Sequence, residues 1–158
     1  MAVIGGGNSA IEDGLFLVKF VEKVTLLVRG EKLTTSQILQ DKALSHPKIE
    51  VRFNTEVTGF DGSGGKLKSV MTTNIKTCEA EEIHPAGVFI FIGQTPNTKF
   101  LKDCGIQLDN WGFIVSGHIL VHGKYPHPTG FGTCEPRVLE TNIPGIFTAG
   151  DVRAGSTK

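Results

Sequence analysis

At 158 residues the chain can hold one domain with a real core, or one domain and a piece of another, but not two full domains. Lys and Arg together number 16, as do Asp and Glu, so no overall field recruits nucleic acid or an anionic membrane, and any anionic ligand must be held locally. Hydrophobic residues make up 39%, no apolar run reaches membrane-spanning length, and the first residues lack a basic start followed by an apolar stretch, so a soluble, cytoplasmic protein is expected.

In chain order, "AVI" (residues 2–4) predicts a short apolar strand, followed by three glycines and then "NSAIEDGLFLVKFVEK". There Ala10, Ile11, Leu15, Val18 and Leu17 or Val21 fall on helical spacing, and Asn8 or Ser9 is available to cap the first turn. "VTLLV" (24–28) suits a parallel strand covered on both faces, completing a βαβ unit. A second helix is predicted over 35–44, before Pro47, and "IEVRFN" alternates as a half-buried strand does. "TEVTGF", "DGSGG" and "KLKSVMTTN" predict two strands joined by a glycine-rich loop, and "CEAEEIH" supplies a third, giving an antiparallel meander. "GVFIFIG" (87–93), the most apolar stretch in the chain, predicts another buried strand.

After "QTPNT" the pattern changes. A short helical turn is expected around Phe100, then a hairpin-like segment in "GIQLDNWGFIV", with Trp111 and Phe113 read as hairpin packing. Residues 116–136, rich in Gly, Pro and His, predict a loop, and "IPGIFTAGDV" predicts a last apolar strand ending at Gly150 and Asp151. His118, His122, His127 and Cys134 match no common zinc spacing, so no metal site is expected. The three cysteines, Cys78, Cys104 and Cys134, are widely spaced and read as ordinary thiols.

Gly5, Gly7 and Ala10 form a G-x-G-x-x-A pattern between a strand and a helix, the context in which such glycines hold a dinucleotide. The first permits the tight turn, the second lets a pyrophosphate approach the backbone, and the small third residue lets helix and strand pack closely. The helix N-terminus then offers unpaired N–H groups and partial positive charge. After the second strand, "LLVRGEKL" carries Arg29, which tilts the reading toward a 2′-phosphorylated ribose, and Glu31, which is open to two readings: contact with a free ribose hydroxyl, or a solvated surface charge.

Three stretches, "VIGGGNSAIEDG" (3–14), "GVFIFIGQTPNT" (87–98) and "LETNIPGIFTAGDVRAGSTK" (139–158), resemble the pyridine nucleotide-disulfide oxidoreductases, and within them the thioredoxin reductase-like flavoproteins. The resemblance implies a Rossmann-like parallel sheet with an antiparallel three-stranded meander over residues 1–96, an NAD(P)H-binding domain, followed over 97–158 by the incomplete C-terminal part of an FAD-binding domain. It implies that Gly5, Gly6, Gly7, Asn8, Ser9, Ala10 and Glu12, with Arg29 and Gly93, hold NADPH or NADH, and that Gly150 and Asp151 touch FAD. The implied parent enzyme passes a hydride from NAD(P)H to FAD and then to a disulfide, with a thioredoxin-like protein as partner.

The departures are specific. The family's first FAD glycine fingerprint and its Cys-x-x-Cys pair are missing, so the chain is expected to be truncated, to hold no catalytic residue and to be inactive alone. Where thioredoxin reductases usually place two adjacent arginines and a third shortly after, only Arg29 matches, with Gly30 and Thr34 at the other places, which leaves NADPH against NADH open. Two other readings are a non-catalytic dinucleotide-binding or redox-sensing module, and a flavin reductase relative serving ferredoxin. Ile143, Ile146 and Phe147 are expected to lie uncovered, with self-association as the consequence.

Overall fold

The computed structural model describes residues 1–156 as two compact units, Met1–Gly93 and Gln94–Lys158, the second described as far as residue 156. In the first unit, β1 (Ala2–Ile4) pairs in parallel with β2 (Val24–Leu27), and β2 with β3 (Ile49–Arg52). The last strand, β7 (Val88–Ile90), returns to the other side of β1, giving the order β3-β2-β1-β7. Parallel neighbours need crossovers, and two helices supply them: α1 (Asn8–Leu17) and α2 (Gln37–Ser45). Val3, Ile11, Val24 and Leu26 are fully buried, and each such side chain stabilises the unit by roughly 1.5–3 kcal/mol. Helix α1 approaches β2 closely because Gly14 has no side chain; a Cβ there would stand 3.1 Å from Leu26 Cδ2.

The meander forms as expected, as a separate antiparallel sheet of β4 (Thr55–Ser63), β5 (Lys66–Asn74) and β6 (Ala80–Ile83). It is tied to the parallel sheet where β2 ends, since Thr55 N–H donates to Val28 C=O and Asn54 N–H to Gly30 C=O, both at 3.0 Å. Strand β4 is irregular: Val57 pairs with Thr72 and Gly59 with Met71, which leaves Thr58 as an extra residue.

Two expectations for this unit need correction, on residues 87–93 and on α1. Residues 87–93 are not a buried strand, because β7 pairs only with β1 at the sheet edge; Ile90 is 55% and Ile92 76% exposed. The half-buried strand expected in "IEVRFN" does form as β3, with Ile49 and Val51 packed against the core and Glu50 and Arg52 in ion pairs. Helix α1 stops at Leu17, leaving Phe16 and Phe20 to pack on each other at the surface, ring centroids 5.2 Å apart.

In the second unit, a 3₁₀ turn (Lys99–Leu101) stands where a helical turn is expected, and Leu108 bridges Ile114 across a tight turn. Asp109 holds that turn by accepting the N–H groups of Trp111 and Phe113. Trp111 is nevertheless 77% exposed, a correction to its reading as hairpin packing. The segment read as a loop contains α3 (His118–His122), which buries Leu120 beside Val115 and Ala154.

The expected final strand is absent among the described residues. Thr141 N–H donates to Ile146 C=O and Thr148 N–H to Leu139 C=O, so the segment folds on itself as a tight turn with a single bridge, Glu140 to Phe147. Phe147 is 53% exposed there and Ile146 41%, whereas Ile143 is half-buried. No helix among the described residues is long and apolar enough to cross a membrane.

Glu140 organises this unit. Only 8% exposed, it accepts the N–H groups of Arg137 (3.0 Å) and Gly145 (2.8 Å), and these bonds hold its carboxyl below the usual range. A depressed carboxyl adds stability that is whole above its ordinary value and disappears as pH falls through the folded-state value. Glu140→Gln should therefore lower the melting temperature at neutral pH, and the gap from the unaltered chain should close in acid; thermal melts across that range check it.

Candidate functional site

The three consecutive glycines have three different surroundings. Gly5 ends β1 with φ +139°, donates to Leu27 C=O (3.0 Å), and runs so close to β7 that a Cβ would stand 2.3 Å from the carbonyl oxygen of Phe91. Gly6 lies against Val28, whose Cγ1 would be 2.9 Å from an added Cβ, and its carbonyl accepts both Thr34 N–H (2.7 Å) and the Thr34 hydroxyl (3.2 Å). Gly7 is the N-cap of α1 with ordinary extended angles, and nothing lies nearer to its Cβ position than Thr34 Oγ1 at 3.8 Å. Packing thus requires the first two to be glycine; the third faces open space.

No side chain caps α1, which corrects the expectation for Asn8 and Ser9. Both are already helical residues, and Asn8 Oδ1 instead accepts the Thr35 hydroxyl. The amides of Gly6, Gly7, Asn8, Ser9 and Ala10 consequently donate to no acceptor among the described residues. A helix start left in this way carries partial positive charge and several free donors, the properties an anion requires.

Of these residues Gly6 and Gly7 border a cleft of about 710 Å³, and Asn8, Ser9 and Ala10 do not line it. Gly5, Gly6 and Gly7 form one margin, Val28, Arg29, Gly30, Lys32 and Thr34 the segment after β2, Thr55, Glu56, Val57 and Phe60 a wall from β4, and residues 90–93 the end of β7. Of the sequence-predicted residues, Gly5, Gly6, Gly7, Arg29 and Gly93 therefore meet at one cleft. Ala10 lies buried under the turn, 3.2 Å from the Cβ position of Gly5, whereas Ser9 and Glu12 are exposed on α1 and do not line the cleft. Gly150, at φ +83°, and the exposed Asp151 belong to the turn before the Ile114–Arg153 bridge in the second unit. The Asp151 carboxylate has no partner among the described residues.

Glu31 does not turn toward the cleft. It pairs with Lys76 at 2.6 Å, and that hydrogen bond and charge lower its carboxyl below the usual range. Arg29 and Lys32 have no carboxylate partner among the described residues. Lys32 is a cleft residue that lies outside the sequence-predicted set, and its mark in the sequence is a second cation within one turn of the β2 end in "RGEK".

The chain belongs to the pyridine nucleotide-disulphide oxidoreductase family, whose model matches residues 1–158. It is similar to thioredoxin reductase 1, mitochondrial, of Arabidopsis thaliana, with 36% identity over 155 residues covering 97% of this chain and 36% of the relative. It is 38% identical over 160 residues to thioredoxin reductase of Listeria innocua, covering 100% of this chain and 43% of that protein. Among solved structures, thioredoxin reductase of Lactococcus lactis in its FR conformation superposes with a TM-score of 0.79 at 34% identity, over 99% of this chain and 45% of that one. The chain thus spans less than half the length of these relatives.

The glycine surroundings predict opposite outcomes for two similar substitutions. Gly5→Ala forces Cβ into a backbone carbonyl at a positive φ and should destabilise the chain by roughly 3 kcal/mol or more. Gly7→Ala, in open space at φ −89°, should stay within about 1 kcal/mol of the unaltered chain. Denaturant titration of both distinguishes them.

Proposed function

We propose that this chain is the nucleotide-binding portion of an NAD(P)H-dependent FAD reductase resembling thioredoxin reductase. The parent enzyme would take a hydride from NAD(P)H through FAD to a disulfide, with a thioredoxin-like protein as partner. One observation carries the reading: the donor-rich, uncapped start of α1 and the unpaired Arg29 and Lys32 open onto the same cleft. The bound cofactors supply the redox chemistry, and the protein's residues bind and orient them.

In this reading residues 1–96 are the NAD(P)H domain and residues 97–158 part of the FAD domain. Gly6, Gly7, Asn8 and Ser9 offer amides to the diphosphate, with Gly5 and Ala10 permitting the approach, and Gly93 bounds the far margin. Arg29 and Lys32 face the adenosine ribose, where an extra phosphate would meet two cations, so NADPH is favoured over NADH. Glu12 acts from the exposed side of α1 and contributes less. Gly150 and Asp151 hold the flavin nucleotide through a turn that leaves the carboxylate open. The relatives' names favour a reductase over a redox-sensing module.

All three cysteines are exposed and free, which suits a reducing compartment such as the cytoplasm, and exposed Ile146 and Phe147 favour self-association. Sedimentation at monomer mass over a wide concentration range would remove the last point.

Calorimetric titration of the chain with NADPH and NADH tests the nucleotide site. NADPH should bind more tightly, and Arg29→Ala should weaken it about ten-fold, as loss of a charge-assisted hydrogen bond does, while changing NADH binding little. Gly7→Val should abolish both without unfolding the chain, because its branched side chain fills the diphosphate's place. Equal affinities for both nucleotides would remove the phosphate role of Arg29 and Lys32.

A further inference from the structure

The irregularity in β4 decides where one aromatic side chain points. Residues paired across an antiparallel ladder project to the same face, and residues two apart on one strand share a face. Val57 pairs with Thr72 and Phe60 with Val70, and Thr72 and Val70 are two apart on β5. Val57 and Phe60 therefore lie on one face although three residues separate them, which a regular strand does not allow. The extra residue Thr58 makes the difference, and its hydroxyl is anchored on Met71 C=O at 3.3 Å. Bulges of this kind re-aim side chains beside functional sites.

The re-aimed ring lines the cleft, as does Val57, yet it is 49% exposed. Phe60 thus presents a large flat apolar surface in a cleft that also holds the glycine amides, Arg29 and Lys32, on the β4 wall opposite the apolar end of β7 at Ile90, Phe91 and Ile92. Its strand starts from the same end of β2 as Arg29 and Lys32, through the Thr55–Val28 and Asn54–Gly30 hydrogen bonds. A nucleotide with its diphosphate at Gly7 and its ribose at Arg29 and Lys32 has its purine base on that side.

We propose that Phe60, turned inward by the bulge at Thr58, is the stacking wall for the adenine base of the nucleotide. This rests on the dinucleotide reading above and adds a specificity residue on the meander, an element that the glycine motif does not include. Every base has a π-face, and base–aromatic stacking in proteins is removed measurably by alanine substitution.

The test is calorimetric titration of the chain with ADP and, separately, with nicotinamide mononucleotide. Phe60→Ala should weaken ADP binding about ten-fold, Phe60→Tyr should restore it, and binding of the nicotinamide fragment should stay the same in both variants. Phe20→Ala, which removes an exposed ring outside the cleft, should leave ADP binding unchanged. Unaltered ADP affinity in Phe60→Ala, or an equal loss for both fragments, overturns the assignment. Failure of the unaltered chain to bind ADP at all would instead remove the dinucleotide reading on which it depends. Far-ultraviolet circular dichroism of each variant shows that the meander remains folded.

Discussion

The approach of Gly5 to the carbonyl of Phe91 fixes the geometry of the whole first unit. At that point the end of β1, the end of β7 and the start of α1 come within contact of one another, with Ala10 directly beneath. Any side chain at Gly5 would push the strands apart or tilt the helix away. Because both neighbours of the turn are held by backbone, the helix start cannot drift, and its free amides keep one direction. The pairing of Gly5 N–H with Leu27 C=O extends the same constraint to β2, and hence to the segment carrying Arg29 and Lys32.

Fold and site draw on different residues within a few positions. Gly5 and Gly6 are demanded by packing, and Ala10 by burial, whereas the Gly7 amide and the Arg29 and Lys32 cations have no partner among the described residues. Unused donors at a helix start and unpaired cations lower stability when nothing binds them, so their concentration at one cleft is a departure from local consistency of the kind functional sites show. The contrast is sharp at the helix start, where Asn8 has a capping side chain and spends it on Thr35.

Much of this was legible in the sequence, for identifiable reasons. The βαβ unit and the meander were readable because apolar period and glycine punctuation are local properties, and the G-x-G-x-x-A pattern marked the turn itself. Exposure of β7 was not, since an apolar strand has the same composition at the edge as in the middle of a sheet. The stretch ending at Asp151 looked like a strand because it is apolar, yet a strand also needs a partner, and here Thr141 and Thr148 turn the segment back on itself. Helix α3 was hidden by flanking Gly, Pro and His, and only the burial of Leu120 explains why five residues in that segment coil. The bulge at Thr58 has one mark in "TEVTGF", the glycine that follows it, but its effect on facing was not legible because register is set by pairing with β5.

A chain whose Lys and Arg balance its Asp and Glu still builds a local positive field, and the arrangement around Glu31 shows how. Glu31 stands between Arg29 and Lys32 in sequence and, left unpaired, would offset one of them. Lys76, from the turn after β5, takes up that carboxylate at 2.6 Å. The segment's own acid is thereby neutralised from outside, and both of its cations keep their charge for the cleft, close to the positive end of α1. Such a field is short-ranged and screened by salt, so it acts on a ligand already within the cleft more than on one approaching from solution. A local positive field built by this route requires no net charge on the protein, only a third cation placed where the meander meets the end of β2.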